Sequence, residues 1–512
     1  MSNLSELRER LAEIHDLGRV AGLLGWDERT MMPPGGGEAR ADQLATLARV
    51  RHRMFASDEI GRLIDAARSE VATLDPAAEP STLLRVAARD WEKARRVPAD
   101  LRAEIVRAAT VGESVWREAR RRSDFELLLP HLERNVELKR RFAECYEGFE
   151  DFAHPYDPLL DEFEPRMPTA EMRRLLDELR AGLVPLVAAV VERADAVDDS
   201  CLRGSFPEGA QRTLIHELVA ELPFPPGSWR LDPTAHPFAT SISPRDLRLT
   251  TRYDESYLSA GLFAALHEAG HGLYGAGVDP ALARSPLGRP RSLGLHESQS
   301  RLWENWVGRG RPYLERLLPR LRDAFPSQFD ATTPDELHRA ANRVSRSLIR
   351  IEADELTYNL HILIRFELEL ELFEGRVAVA ELPEAWGILS REHLGIEVPD
   401  DAHGVLQDVH WAAGSFGYFP TYSLGNVIAA QLWNAVARDV HDLEGLIGAG
   451  ELEPVGVWLR DRVHSLGRML EAPEIVERAT GESIDAAPLL RHLAAKFGAI
   501  YELDWFAAAA GD

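Results

Sequence analysis

Apolar residues recur at intervals of three and four along most of the chain, the spacing that gathers them on one face of an α-helix. Met172, Leu175, Leu176, Leu179, Leu183, Leu186 and Val190 form one such stripe behind Thr169, an N-cap candidate, and predict a helix against a core. A longer pattern opens with Thr333 as N-cap, Pro334 at the first helical position and Glu336 closing a capping box, then runs without further glycine or proline to Glu374. As one helix, at about 1.5 Å per residue, 334–374 would span roughly 60 Å. The pattern changes at the Pro-rich stretch Leu222 to Pro237 and in Phe238 to Tyr253, where alternation puts Asp246, Arg248, Thr250 and Arg252 on one face of a strand and Leu247, Leu249 and Thr251 on the other. A second irregular zone, Gly375 to Asn426, carries Gly404, Gly414, Gly417, Pro420 and Gly425 and reads as a loop over something. There is no internal repeat. These patterns predict a mainly α protein with one small sheet, a single domain over 1–512 built as one large body with two lobes.

Composition narrows the classes of function. At 512 residues, 45% hydrophobic and 28% charged, the chain can bury a large core without disulfides. Its 83 acidic against 59 basic residues leave a formal charge of −24, which repels a phosphate backbone or an anionic leaflet, so neither nucleic acid nor a membrane is an expected partner. Cys145 and Cys201 are too few for a disulfide framework and read as buried small residues. Met1 to Glu13 lacks the apolar core of a signal peptide and no run reaches the length of a membrane span, so a soluble, cytoplasmic protein is expected.

The chemistry concentrates in 256–307. From Ser256 a helical pattern contains His267, Glu268 and His271. Two imidazoles four residues apart share a helix face and can bind one zinc ion, with Glu268 beside them. Zinc lowers the pKa of a bound water toward about 7, and an adjacent carboxylate can take its proton as it attacks a carbonyl. Three ionisable groups on an otherwise apolar helix would be costly to bury with nothing bound. A catalytic zinc needs a third protein ligand; a second helical pattern, Leu293 to Val307, offers His296 and Glu297, and spacing alone does not choose between them.

Six motifs in order then make the resemblance specific: His236-Pro237-Phe238, Asp246-x-Arg248-x-Thr250, the His267/Glu268/His271 helix, His296-Glu297-Ser298-Gln299, Ile349-Arg350-x-x-Ala353-Asp354, and Gly404-x-x-Gln407-Asp408-x-His410-Trp411. Trp26-Asp27 to Met32-Pro33 and Gly417-Tyr418-Phe419-Pro420-Thr421-Tyr422 agree with them. Over nearly its whole length the sequence resembles the carboxypeptidase Taq family of zinc metallocarboxypeptidases, the thermostable carboxypeptidase 1 type. The resemblance implies a large helical two-lobed metallopeptidase fold with a deep active-site groove, and a homodimer. It also implies Glu297 as third zinc ligand, Glu268 as the base that activates a metal-bound water, and release of single residues from peptides with a free C-terminus, with broad specificity. One Zn2+ per chain is expected; imidazole and carboxylate donors also accept Co2+ or Mn2+.

Further roles follow from what the reaction requires. An exopeptidase must hold a free carboxylate, for which arginine is best suited. Arg350 is the first candidate, with an internal ion pair to Asp354, one turn away, as its bland alternative; Arg248 on the strand is the second. His236 is a candidate contact to the substrate backbone. A donor must face the developing oxyanion, and Tyr422, His410 and Tyr418 can each supply one. Two other readings stand beside this one, an oligopeptidase of the same chemistry cutting inside short peptides, and a non-catalytic metal-bearing scaffold.

Overall fold

The computed structural model describes residues 2–504. The chain begins with four helices, α1 (Asn3–Thr30), α2 (Gly37–Phe55), α3 (Asp58–Val71) and α4 (Glu79–Arg96). Leu7, Leu11, Ile14, Ile60, Leu63, Ile64, Leu83 and Val86 form a small core of their own, completed by Leu282 and Leu287 from a much later loop. A separate and far larger core holds the rest. Two cores are the physical content of the two-lobed reading, and they are tied together by charge: Arg468 meets Asp90 of α4 at 2.7 and 2.9 Å.

Within the large body, α5 (Thr169–Val191) buries the whole predicted stripe from Met172 to Val190. Its cap is one residue earlier than predicted. Pro168 occupies that position, because the Thr169 amide and hydroxyl both donate to the buried Asp157 carboxylate. The small sheet has the order β1 (Trp229–Pro233), β3 (Asp246–Thr251), β2 (Ala239–Ser243), with β1 parallel and β2 antiparallel to β3. Leu247, Leu249 and Thr251 are wholly buried, as alternation predicted. Thr250, on the face expected to be polar, is buried too, its hydroxyl satisfied by the Phe238 carbonyl at 2.7 Å. The sheet backs α6 (Ser259–Gly277), and α7 (Leu293–Arg301) follows, continuing as a π-helical turn at Leu302–Gly308.

The single long helix over 334–374 does not form. The capping box at Thr333 and Glu336 is present, but α8 (Pro334–Ala341) ends after eight residues, and sixteen residues separate it from α9 (Tyr358–Phe373). Between them, side chains take the backbone partners that a helix would use. Asp354 accepts from the amides of Ser345, Leu356 and Thr357, each at 3.0 Å, Ser347 accepts from Ile349, and Gln407 accepts from the Arg350 amide. The zone 375–426 is likewise less irregular than expected: it contains α10 (Leu382–Leu394), closed by Gly395 at φ 63°, and the start of α11 (Pro420–Asp439). Both cysteines are free and half-buried rather than buried. No helix among the described residues is long and apolar enough to cross a membrane.

Two stability predictions follow. Replacing Asp354 by alanine strands three backbone donors and should cost about 2–4 kcal/mol, read as a fall in Tm of a few degrees; an unchanged Tm would remove Asp354 as the organiser of this break. Glu164 accepts from the Gly294 amide at 2.9 Å, and burial pushes its carboxyl up to about 7. The fold therefore penalises its ionised form, so wild-type stability falls as pH rises from the unfolded value near 4.5 through about 7. Glu164→Gln lacks that loss. Its Tm relative to wild type should rise between pH 5 and pH 8, and a constant difference would refute the assignment.

Candidate metal centre and active site

Two glycines decide how closely the helices bearing the site can approach. A Cβ on Gly270 of α6 would lie 2.5 Å from the Gln299 carbonyl of α7, and one on Gly425 of α11 would lie 2.6 Å from Glu297 Cγ. With hydrogen in both places α6, α7 and α11 meet at backbone contact. The result is that His267 Nε2 and His271 Nε2 stand 3.6 and 3.5 Å from Glu297 Oε2. One ligand atom from each of the three residues lies within 4.8 Å of the others.

The other side of each ring is already engaged. His267 Nδ1 lies 2.9 Å from Glu304 Oε2, and His271 Nδ1 lies 3.1 Å from the His296 carbonyl. Donation at Nδ1 leaves each Nε2 lone pair facing the centre, the arrangement a metal-bound imidazole requires. Arg301 does the same for the carboxylate, holding Glu297 Oε1 at 2.7 Å and leaving Oε2 toward the histidines. Burial acts to raise both Glu297 and Glu304, but Arg301 and the histidines outweigh it, holding Glu297 well below the usual range and bringing Glu304 to about 2. The choice left open by spacing is resolved in geometry: Glu297 converges with the two histidines, while the His296 ring stacks on His271 at 4.1 Å and 11° and stays neutral through burial.

Glu268 is 7% exposed, and its Oε2 is buried without a hydrogen-bond partner. An unpartnered carboxylate oxygen beside two imidazoles and a second carboxylate is the donor set of a cation site with a base next to it. The residues present therefore fit a divalent metal ion, with His267, His271 and Glu297 as the group that could hold it.

Tyr418, Tyr422 and His410 form one aromatic group next to this centre. The Tyr418 ring is 5.3 Å from Tyr422 and 5.2 Å from His410, and Tyr422 meets Tyr358 edge-on at 6.1 Å. Burial raises both phenols, with the Glu297 charge adding to it, and lowers His410 to about 4, so all three are neutral donors near pH 7. Arg350 lies against Tyr422, 5.2 Å from its ring centre. Its ionic partner is Asp408, not Asp354: Nε and Nη2 reach Asp408 Oδ1 at 3.0 and 2.7 Å, and Nη1 reaches the Tyr358 hydroxyl at 3.0 Å. The alternative pairing with Asp354 does not form, because Arg350 and Asp354 do not share a helix and Asp354 is occupied by backbone amides. Arg248 is not brought into this group; it folds onto Asp246 and stacks over Trp26 at 4.7 Å. His236 is exposed in the turn between β1 and β2.

Several members were not singled out from sequence. Glu304 and Arg301 had a signal, since Glu297, Arg301 and Glu304 fall at i, i+4 and i+7, on one face of a helical pattern. Asp408 stood in a quoted motif without a role. Its second oxygen takes Arg365 Nε at 2.7 Å. Glu369 is fully buried and accepts from Trp411 Nε1 at 2.7 Å, the Gly417 amide at 2.8 Å and the Tyr156 hydroxyl, which ties down both ends of the segment joining His410 to Tyr418.

Comparison with known proteins agrees with this geometry. The sequence profile described as "Carboxypeptidase Taq (M32) metallopeptidase" matches residues 6–497. The chain is 42% identical over 505 residues to the Thermostable carboxypeptidase 1 of Thermus thermophilus, covering 98% of each, and 36% identical over 498 residues to the Carboxypeptidase 1 of Bacillus subtilis, covering 97% of this chain and 98% of the relative. The crystal structure of the M32 carboxypeptidase from Deinococcus radiodurans R1 superposes with a TM-score of 0.94 at 39% identity, covering 98% of this chain and 99% of that one. A full-length match in sequence and fold, around a convergent His, His and Glu set, places the chain in the carboxypeptidase Taq (M32) family and makes it a metallocarboxypeptidase.

Proposed function

We propose that this carboxypeptidase is zinc-dependent and releases single residues from the free C-terminus of peptides with broad side-chain preference. The supporting observation is the convergence of His267, His271 and Glu297 beside the unpartnered Oε2 of Glu268. When bound there, the ion supplies a Lewis acid and brings a water within reach of deprotonation near neutral pH. Glu268 takes that proton as general base and later returns it to the leaving amine. Tyr422 and His410, with Tyr418 behind them, donate hydrogen bonds to the oxyanion that develops on the scissile carbonyl.

Arg350 anchors the substrate carboxylate. Asp408 fixes the plane of the guanidinium through Nε and Nη2, which leaves the Nη1 edge, on the Tyr358 side, to face substrate. β2 is an outer strand of the sheet, so an extended peptide can pair with it, and His236 and Arg248 are assigned to the more remote part of such a peptide. Imidazole and carboxylate donors also admit Co2+ or Mn2+. A homodimer acting in the cytoplasm completes the reading.

The test is release of residues from a blocked dipeptide and a free pentapeptide. Chelation should abolish release, and Glu268→Gln should lower kcat about 10²–10⁴-fold while the metal stays bound. In the same assay Arg350→Ala should depress C-terminal release far more than any internal cleavage. Turnover that survives both chelation and Glu268→Gln would end the mechanism, and equal losses of both cleavages would favour the oligopeptidase. Glu304→Gln removes the carboxylate behind His267 and should weaken metal retention about 10–100-fold in a chelator competition; unchanged retention would show that Glu304 does not orient the ligand.

A further inference from the structure

Away from the metal centre, three arginines meet with no acid among them. Arg51 comes from α2, Arg19 from α1, and Arg289 from the segment that leads from α6 into α7. Arg51 and Arg289 converge over Gly18: a Cβ there would lie 3.0 Å from Arg51 Nη1 and 3.5 Å from Arg289 Nη2. The two tips therefore pack against the same glycine from different elements, close enough that a side chain there would crowd them. Neither guanidinium has a hydrogen-bond or ion-pair partner among the described residues, and both keep solvent access. Arg19 behind them is satisfied only by neutral acceptors, His15 Nε2 at 2.9 Å, the Gly288 carbonyl at 3.2 Å and the Ser241 carbonyl. Asp90, whose charge reaches Arg289, is paired with Arg468, and Asp16, whose charge reaches His15, is paired with Arg284.

Such a convergence is costly in isolation. Like charges repel, more strongly as surrounding protein excludes water. Burial, with Arg19, Arg468 and Arg51 adding to it, lowers Arg289 to about 10, and burial with the charges of Arg19 and Arg289 lowers His15 to about 4. In a chain of net charge −24, placing three positive side chains together and withholding carboxylates from them runs against the rest of the surface. An oxyanion reverses the sign of every one of these interactions, because guanidinium groups bind carboxylate and phosphate oxygens through paired N–H donors.

We propose that Arg51 and Arg289, backed by Arg19, form a binding site for a small oxyanion at the junction of α1, α2 and the segment leading into α7. Two sources share that chemistry, free phosphate and the carboxylate of an acidic side chain on a peptide substrate. The site is distinct from the metal centre in all its residues. It is joined to that region through Arg19, which holds the Ser241 carbonyl on β2, and Ser241 Oγ lies against Gly275 of α6.

The experiment compares the full, metal-loaded chain with an Arg51→Gln/Arg289→Gln double variant and with Arg107→Gln, an exposed arginine outside the cluster. Inorganic phosphate is titrated by calorimetry and by thermal shift at low ionic strength, where exposed charges are least screened. Pentapeptides carrying Glu or Gln away from the C-terminus are compared by kcat/KM. Phosphate binding weakened about tenfold or more in the double variant but not in Arg107→Gln supports the site with a free anion. A Glu over Gln preference that is lost only in the double variant supports it with a peptide side chain. Phosphate binding that is absent or equal in all three proteins, together with a Glu to Gln ratio equal in all three, overturns the proposal.

Discussion

The backbone contact between α6 and α7 is the constraint on which the active centre rests. Glu297 can stand 3.6 and 3.5 Å from His267 and His271 only because Gly270 lets the helices touch at Gln299 and Ser300, and Gly425 lets α11 close over Glu297 from the other side. That approach buries four ionisable groups, so each needs a partner. Glu304 and the His296 carbonyl take the inner ring nitrogens, and Arg301 takes one oxygen of Glu297. Both Nε2 atoms then face Glu297 Oε2, which accepts only from Ser300 Oγ at 3.0 Å, and one Glu268 oxygen is buried with no hydrogen-bond partner among the described residues. The unmatched charge is what a cation answers, and the closeness of the helices is what makes it unavoidable.

The group proposed to face the substrate is built on a different principle. Arg350 comes from the break between α8 and α9, His410 and Tyr418 from the segment 395–419, and only Tyr422 stands on a helix, in the first turn of α11. Buried carboxylates orient the rest. Asp408 holds Arg350 with one oxygen and Arg365 with the other, and those two charges keep it far below the usual carboxylate range despite burial. Glu369 fastens the Trp411 ring and the Gly417 amide, and burial raises its carboxyl to about 7. Removing one partner from such a web leaves the others buried and unsatisfied, which is why loop residues can be held as firmly as helical ones.

What could be read from sequence divides along the same line. The His267, Glu268 and His271 helix, the helix bearing Glu297, the β3 strand and the capping box at Thr333 are written in local spacing, and they stand where the pattern put them. The break at 342–357 is invisible to that reading: its apolar residues keep helical period, and what overrides them is Asp354 and Ser347 accepting local amides and Gln407 reaching in from 57 residues away. The same cause decides the partner of Arg350. Local periodicity offered Asp354, whereas tertiary structure supplied Asp408, which stands 58 residues away. Conversely α10 was overlooked because glycines and prolines on both sides of it made the whole zone look irregular.

These two principles predict different tolerances to change. The metal half depends on shape at two glycines, where any side chain collides with backbone or with Glu297, so substitution there acts by separating helices rather than by removing a functional group. The substrate half depends on charge, and its geometry survives only while Asp408 stays ionised between two arginines. Arg350 illustrates the consequence. With two of its nitrogens held by Asp408, the guanidinium has lost its freedom before any peptide arrives, so a carboxylate that meets the remaining edge does not bear the cost of ordering it. Lysine at this position would keep the charge and lose both the fork and the fixed plane. In the proposed role of Arg350, the rigidity that Asp408 imposes, more than the positive charge itself, is what would suit it to a terminal carboxylate.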